Sequence, residues 1–107
     1  MKYSVYILTN FKKTVYYTGV TNNLNQRLVE HYLNRGNIQS FTGRYYVNNL
    51  VYYQDFKYIN DAIAWEKEIK GWRREKKLNI IKLFNPKMNF LNEELLGKWP
   101  PKDFFYR

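Results

Sequence analysis

The stretch Tyr3–His31, YSVYILTNFKKTVYYTGVTNNLNQRLVEH, decides the fold. Tyr3 to Thr9 and Val15 to Val20 are rich in β-branched and aromatic residues, and Asn10-Phe11-Lys12-Lys13-Thr14 between them suits a hairpin loop, so two antiparallel strands are expected. Tyr6 and Tyr17 are nearly equidistant from the loop centre, which in a tight hairpin places them opposite one another or on neighbouring rungs, within reach of a shared ligand. A one-residue slip in register would send the two rings to opposite faces. Thr21-Asn22-Asn23 then offers capping side chains ahead of Leu24, and Leu24, Leu28 and Tyr32 recur at helical spacing. A helix is expected from Leu24 to about Arg35, ended by Gly36. Arg27 and His31 stand at i and i+4 on it and fall on the stripe defined by Leu24 and Leu28, where polar groups need partners.

Further along, Asn34 to Thr42 is polar and reads as a loop able to flank a substrate groove, and Gly43-Arg44-Tyr45-Tyr46 continues it toward a third strand at Leu50-Val51-Tyr52-Tyr53-Gln54. A second helix is signalled by Asn60 or Asp61 as cap and by the apolar positions Ala62, Ile63, Trp65 and Ile69, stopping or bending near Gly71. A third is expected over Arg73 to Leu83, stopped by Asn85-Pro86. Trp99-Pro100-Pro101 and the closing Phe104-Phe105-Tyr106 read as an irregular tail that docks on the domain or extends from it.

A chain of 107 residues is of a size for one hydrophobic core, and its 45% hydrophobic content is ample to fill it. With 11 tyrosines, many phenols must lie at least partly at the surface, where they can stack on bases. Most are accounted for more simply, as flat rings suited to a half-buried pleated face. The 18 Lys and Arg against 9 Asp and Glu give a formal charge of +9, which favours a polyanionic partner, nucleic acid first. An anionic membrane surface is the competitor, but the opening Met1-Lys2-Tyr3-Ser4 carries no apolar signal core and no run is long enough to cross a bilayer, so a cytoplasmic protein with no membrane partner is expected. The absence of cysteine excludes disulfides, thiolate catalysis and Cys-based zinc sites.

Among residues that carry chemistry, the order is Tyr6, Tyr17, Arg27, His31 and then Glu66. Two phenols, a guanidinium for a phosphate oxygen and an imidazole for proton traffic suit phosphodiester chemistry. Each has a blander account: an Arg on an amphipathic helix often packs its stem and solvates its head, and a lone His is more often a structural hydrogen-bonding group. Glu66 falls between Ala62 and Ile63 on the helical wheel, above Ile69, whereas Glu68 points to the other side. A carboxylate on that inward stripe needs either a basic partner, Arg27 or Lys70, or a hard divalent cation that keeps waters and phosphate oxygens as its other ligands. Spacing does not choose between the two.

The ordered set resembles the GIY-YIG nuclease superfamily. Val5-Tyr6-Ile7 stands for the first half of the name motif and Tyr17-Thr18-Gly19 for the second, followed by Thr21, Leu24, Arg27, Leu28 and His31 in the family's helix pattern. The chain is most similar to the small stand-alone bacterial proteins of the superfamily, related to the N-terminal nuclease domain of the UvrC repair subunit. The likeness continues through Leu50-Val51-Tyr52-Tyr53, Glu66-Lys67-Glu68-Ile69-Lys70-Gly71-Trp72 and Asn85-Pro86, to about residue 92. It implies an α+β fold in β-β-α-β-α-α order, a three-stranded antiparallel sheet flanked by helices, with a nuclease-like domain over residues 1–92 and a tail over 93–107. It also implies a divalent metal, Mg or Mn, on Glu66. Tyr6 matches the general base or water-orienting phenol, Tyr17 the second phenol, Arg27 the phosphate ligand and His31 the proton-transfer position, with Gly19 and Asn85 as accessory sites. Val5 replaces the Gly of the name motif and leaves the phenol in place. Trp65 stands where close relatives usually carry Arg, so one basic contact is missing.

A metal-dependent endonuclease acting on DNA in preference to RNA, in repair or DNA processing, is therefore expected, as a monomer or weak dimer. Arg27, Arg44, Lys70, Arg73 and Arg74 are candidate phosphate contacts, and Lys67, Lys70, Arg73, Arg74, Lys76 and Lys77 form either a binding track or a solvated helix face. The rival is a catalytically silent basic nucleic-acid-binding module on the same scaffold; retention of all five site residues favours the enzyme. A third class is a protein-interaction domain with Phe104-Phe105-Tyr106 as its partner surface.

Overall fold

A computed structural model describes residues 2–101. Strands β1 (Tyr3–Thr9) and β2 (Tyr16–Thr21) form the expected hairpin, closed by Asn10, whose Oδ1 accepts from the Thr14 and Val15 backbone N–H groups at 2.8 and 3.2 Å. That side chain does the work of a turn residue without glycine. Strand β3 (Asn49–Phe56) pairs antiparallel with the other edge of β1, giving the order β2-β1-β3. A register shift between Ile7 and Leu8 leaves Val51 as an extra residue on β3, a β-bulge.

Because β1 is central and covered on both sides, it reads as a nearly continuous apolar run. Val5 and Ile7 point to one face, against Val51, Tyr52, Ala62, Ile69 and Ile81. Tyr6 and Leu8 point to the other, against Leu24, Leu28, Val47 and Leu50. The first face is covered by α3 (Ile59–Lys70) and α4 (Arg74–Phe84), the second by α1 (Leu24–Leu33). Asn23 caps α1 by accepting from Gln26 N at 3.1 Å. Helix α3 begins at Ile59, ahead of the expected Asn60 or Asp61 cap, and ends at Gly71 as expected.

Two short helices depart from the expected order. Within the segment expected to be loop, Phe41–Arg44 forms α2, capped by Ser40 Oγ, which accepts from Gly43 N at 3.0 Å. Asn92–Leu96 forms α5 where an irregular tail was expected from residue 93, and Leu95, Leu96 and Trp99 pack against the Tyr6 face of the core. The cause is Asn92 itself. Fully buried, it accepts from Leu50 N at 2.7 Å and donates to Asn48 O at 3.0 Å, fixing the chain beside β3. The Phe104-Phe105-Tyr106 expectation lies outside the described residues. No described helix is long and apolar enough to cross a membrane.

Asn92→Ala leaves a buried N–H and a buried C=O without partners. The expected loss is about 2–4 kcal/mol, read as a lower urea midpoint with unchanged slope.

Candidate active site

The hairpin register sets the first two groups. Tyr6 pairs with Gly19 and Tyr17 with Leu8, so the two phenols lie diagonally on one face, on neighbouring same-face rungs, with ring centroids 6.3 Å apart. The Tyr6 ring lies over Gly19. A Cβ there would sit 2.5 Å from the phenol oxygen, 2.6 Å from Cζ and 3.0 Å from Cε2 of Tyr17, so any larger residue displaces both rings.

Helix α1 brings the next two. His31 Nε2 is 3.0 Å from the Tyr6 hydroxyl, and Nδ1 is 3.2 Å from Oγ1 of Thr42 on α2. Burial and the nearby Arg27 charge lower the imidazole pKa below its ordinary value, against a smaller upward pull from Glu30. The Tyr6 phenol moves the other way. Burial raises its pKa, as do Tyr17, Glu66 and Glu30, and only Arg27 opposes them. Both directions keep the proton on the phenol and leave the imidazole neutral. In the Nδ1–H tautomer, Tyr6 O–H donates to Nε2 and Nδ1–H donates to Thr42 Oγ1.

Arg27 differs from its expected place. It flanks the Leu24–Leu28 stripe, with a half-exposed side chain whose Nε lies 3.3 Å from Glu30 Oε1. Its long stem carries the guanidinium to the rim of an open groove of about 560 Å³, lined by Arg27, Glu30, His31, Asn34, Ser40 and Thr42 among others. The segment from Asn34 to Thr42 thus flanks a groove, as its composition suggested.

Glu66 is the inward carboxylate of α3 and Glu68 the exposed one. Its partner is Lys70, with Nζ 2.8 Å from Oε2, the carboxylate side chain 13% and the lysine side chain 50% exposed. Oε1 has no partner among the described residues. No group of three or more metal-ligating His, Asp or Glu exists among the described residues. A hard cation that retains water and takes substrate oxygens needs only one such carboxylate, and Glu66, with an unengaged oxygen and a partly solvated partner, fits that demand.

The remaining candidates are dispersed. Arg44 donates from Nε and one terminal nitrogen to Ile38 O at 3.0 and 2.8 Å. Arg74 reaches Thr14 O at 2.6 Å and lies over the Tyr16 ring, holding the hairpin loop. Arg73 is the exposed residue preceding α4. Asn85 is buried, donating to Val51 O at 3.1 Å and Asn89 O at 2.8 Å and accepting from Asn89 N at 3.1 Å, so its amide is committed to backbone. Trp65 packs edge-on against Trp72 and donates to the Tyr52 hydroxyl at 3.1 Å. Thr42, which orients His31, was missed by sequence reasoning. Nothing in a polar loop distinguishes it from its neighbours.

Residues 2–79 match the family described as the GIY-YIG catalytic domain. Among solved structures, the solution NMR structure of the UPF0213 protein BH0048 from Bacillus halodurans is 32% identical over 78% of this chain and 85% of that chain, with a TM-score of 0.49. No curated protein matches the chain.

His31 is the sole histidine, so its titration is directly observable by NMR. Its midpoint is expected below 6.5. Between that midpoint and 6.5 the unfolded chain binds more protons than the native one, so stability falls as pH falls through this window, by at most about 1.4 kcal/mol per unit. The contribution is fully present above 6.5, and His31→Gln should flatten this acid limb in urea denaturation. Thr42→Val removes the Nδ1–H acceptor, and ¹⁵N shifts should show a larger Nε2–H population.

Proposed function

Since the chain belongs to the GIY-YIG catalytic-domain family, a nuclease superfamily, we propose that it is a metal-dependent endonuclease that hydrolyses phosphodiester bonds, in DNA rather than RNA. The observation that carries this reading is the Tyr6–His31 hydrogen bond, set against Gly19 and within electrostatic reach of Arg27 and Glu66. Hydrogen bonding alone would serve a packed core. A buried phenol paired to an imidazole that lines a groove rimmed by a guanidinium also suits water activation.

In this reading His31 Nε2 accepts the Tyr6 proton while the phenol oxygen orients and deprotonates water for in-line attack on phosphorus. Arg27 offsets the charge that grows on the phosphate oxygens, and Tyr17 shapes and donates to the same region. A divalent ion on Glu66, Mg or Mn, would supply Lewis acidity at the phosphate. In the free protein the two pKa shifts oppose proton transfer from Tyr6 to His31. Glu66 is one of the charges that raise the phenol, so neutralising that carboxylate favours the phenolate.

In this reading the nuclease domain spans residues 1–92 and residues 93–107 are a tail, of which Leu95, Leu96 and Trp99 pack on the core. Basic side chains at Arg44, Lys70, Arg73 and Arg74 would contact phosphates, in a cytoplasmic DNA-processing or repair role. The Glu66–Lys70 ion pair favours a second reading, a binding module with silent chemistry. Labelled DNA and RNA strands, duplexes and junctions incubated with Mg, Mn or chelator separate the two. Metal-dependent nicking is expected, and Tyr6→Phe and Glu66→Gln should each slow it by roughly 10²–10⁴-fold with little change in affinity. Wild-type rates in either variant would overturn the assignment.

A further inference from the structure

The aromatic rings beside the candidate site do not stop at Tyr17. Tyr17 lies 6.5 Å from Phe41 between ring centroids, and Phe41 lies 5.1 Å from Tyr45. With the Tyr6–Tyr17 contact this makes an unbroken series from the buried phenol to the surface. Its outer members are exposed: Phe41 51%, Tyr45 45% and the adjacent Tyr46 56%. Three large rings thus stay about half exposed on one short helix and its exit. Ser40 and Thr42, on either side of Phe41, line the same groove as Arg27 and His31. Arg44 lies between Phe41 and Tyr45 in sequence, and its bonds to Ile38 O use two of its five N–H donors.

We propose that Phe41 and Tyr45 form a stacking platform for unpaired nucleobases flanking the phosphate held at Arg27, with Arg44 meeting the adjoining backbone. Aromatic faces interleaved with a positioned guanidinium, on a chain of net charge +9, match the chemistry of single-stranded nucleic acid. Bases in a continuous duplex are stacked on each other and cannot present their faces, so the platform selects single strands, flaps or splayed junctions. Placing the scissile phosphate beside the platform rests on the nuclease reading.

The test compares, in chelator, a mixed-sequence DNA single strand with an abasic strand of equal length and phosphate number, by fluorescence anisotropy. Wild type should bind the base-bearing strand at least about 5-fold more tightly, the lower bound for stacking one base. Phe41→Ala should remove most of that difference and Tyr45→Ala part of it, with abasic-strand affinity and salt slope unchanged. Phe41→Leu keeps the apolar bulk but not the π face, so it should lose the same preference while its thermal unfolding stays near wild type. Equal affinity of the wild type for the two strands, unchanged preference in Phe41→Leu, or no binding of nucleic acid would overturn the platform, the last pointing to a protein partner for the patch. Metal-dependent cutting without base preference would sink the platform and spare the nuclease; base preference without cutting would do the reverse.

Discussion

A tyrosine hydroxyl buried at the centre of the sheet cannot be left without a partner, and the imidazole of His31 is what Tyr6 has. An orphaned hydroxyl there would cost about 1–3 kcal/mol. Much of the surrounding sequence follows from this one bond. The ring needs room, so its cross-strand partner is Gly19. With Nε2 accepting from the phenol, Nδ1–H needs an acceptor of its own, and Thr42 Oγ1 lies 3.2 Å from Nδ1. Thr42 is held by α2, whose four residues exist because Ser40 caps them. A short helix without apolar periodicity is in this way tied to a buried hydroxyl on β1.

The ion pairs around that bond are weak by design of their surroundings. Arg27–Glu30 is solvent-exposed, and Lys70 is half-exposed where it meets Glu66. An exposed pair such as Arg27–Glu30 contributes about 0–1 kcal/mol, and at Glu66 it is the solvated ammonium of Lys70 that keeps the pair exchangeable. Phosphate oxygens can displace Glu30 from Arg27, and a cation can displace Lys70 from Glu66, at small cost. A dry, fully buried pair would have resisted both exchanges. The protein thus keeps its charged groups positioned while leaving them available.

How far the sequence reveals this depends on whether a feature is periodic or local. The hairpin and α1 were legible because two β-branched and aromatic runs around a polar loop, and the Leu24–Leu28 spacing, each extend over several residues. Tyr6 and Tyr17 were brought together by their equal distance from the loop centre. Helix α2 was not legible, since four residues carry no period and its cap looks like any loop serine. Helix α5 hid for a different reason: its anchor is an asparagine amide bonded to Leu50 and Asn48, more than forty residues away in sequence. Arg27 was drawn inward by its spacing, but a long stem lets the guanidinium leave the stripe. For Glu66 the wheel identified the inward carboxylate and left its partner open among Arg27, Lys70 and a divalent cation. The fold pairs Glu66 with Lys70 and Arg27 with Glu30.

The two edges of the sheet also divide the labour. Along the outer edge of β3, buried amides of Asn85 and Asn92 take up Val51 O and Leu50 N, groups that an edge strand would otherwise offer to another chain. Those asparagines close an edge. On the opposite side, β2 contributes Tyr17 and, at Gly19, the room that the Tyr6 ring fills, and α3 packs beside it with Glu66. A position such as Asn85 can therefore be tied to the fold by chemistry as demanding as that of a site residue. Its amide has spent its capacity on the backbone, whereas Glu66 retains an unengaged oxygen and Arg27 an exposed guanidinium. Unspent hydrogen-bonding and charge capacity is what sets Glu66 and Arg27 apart from Asn85.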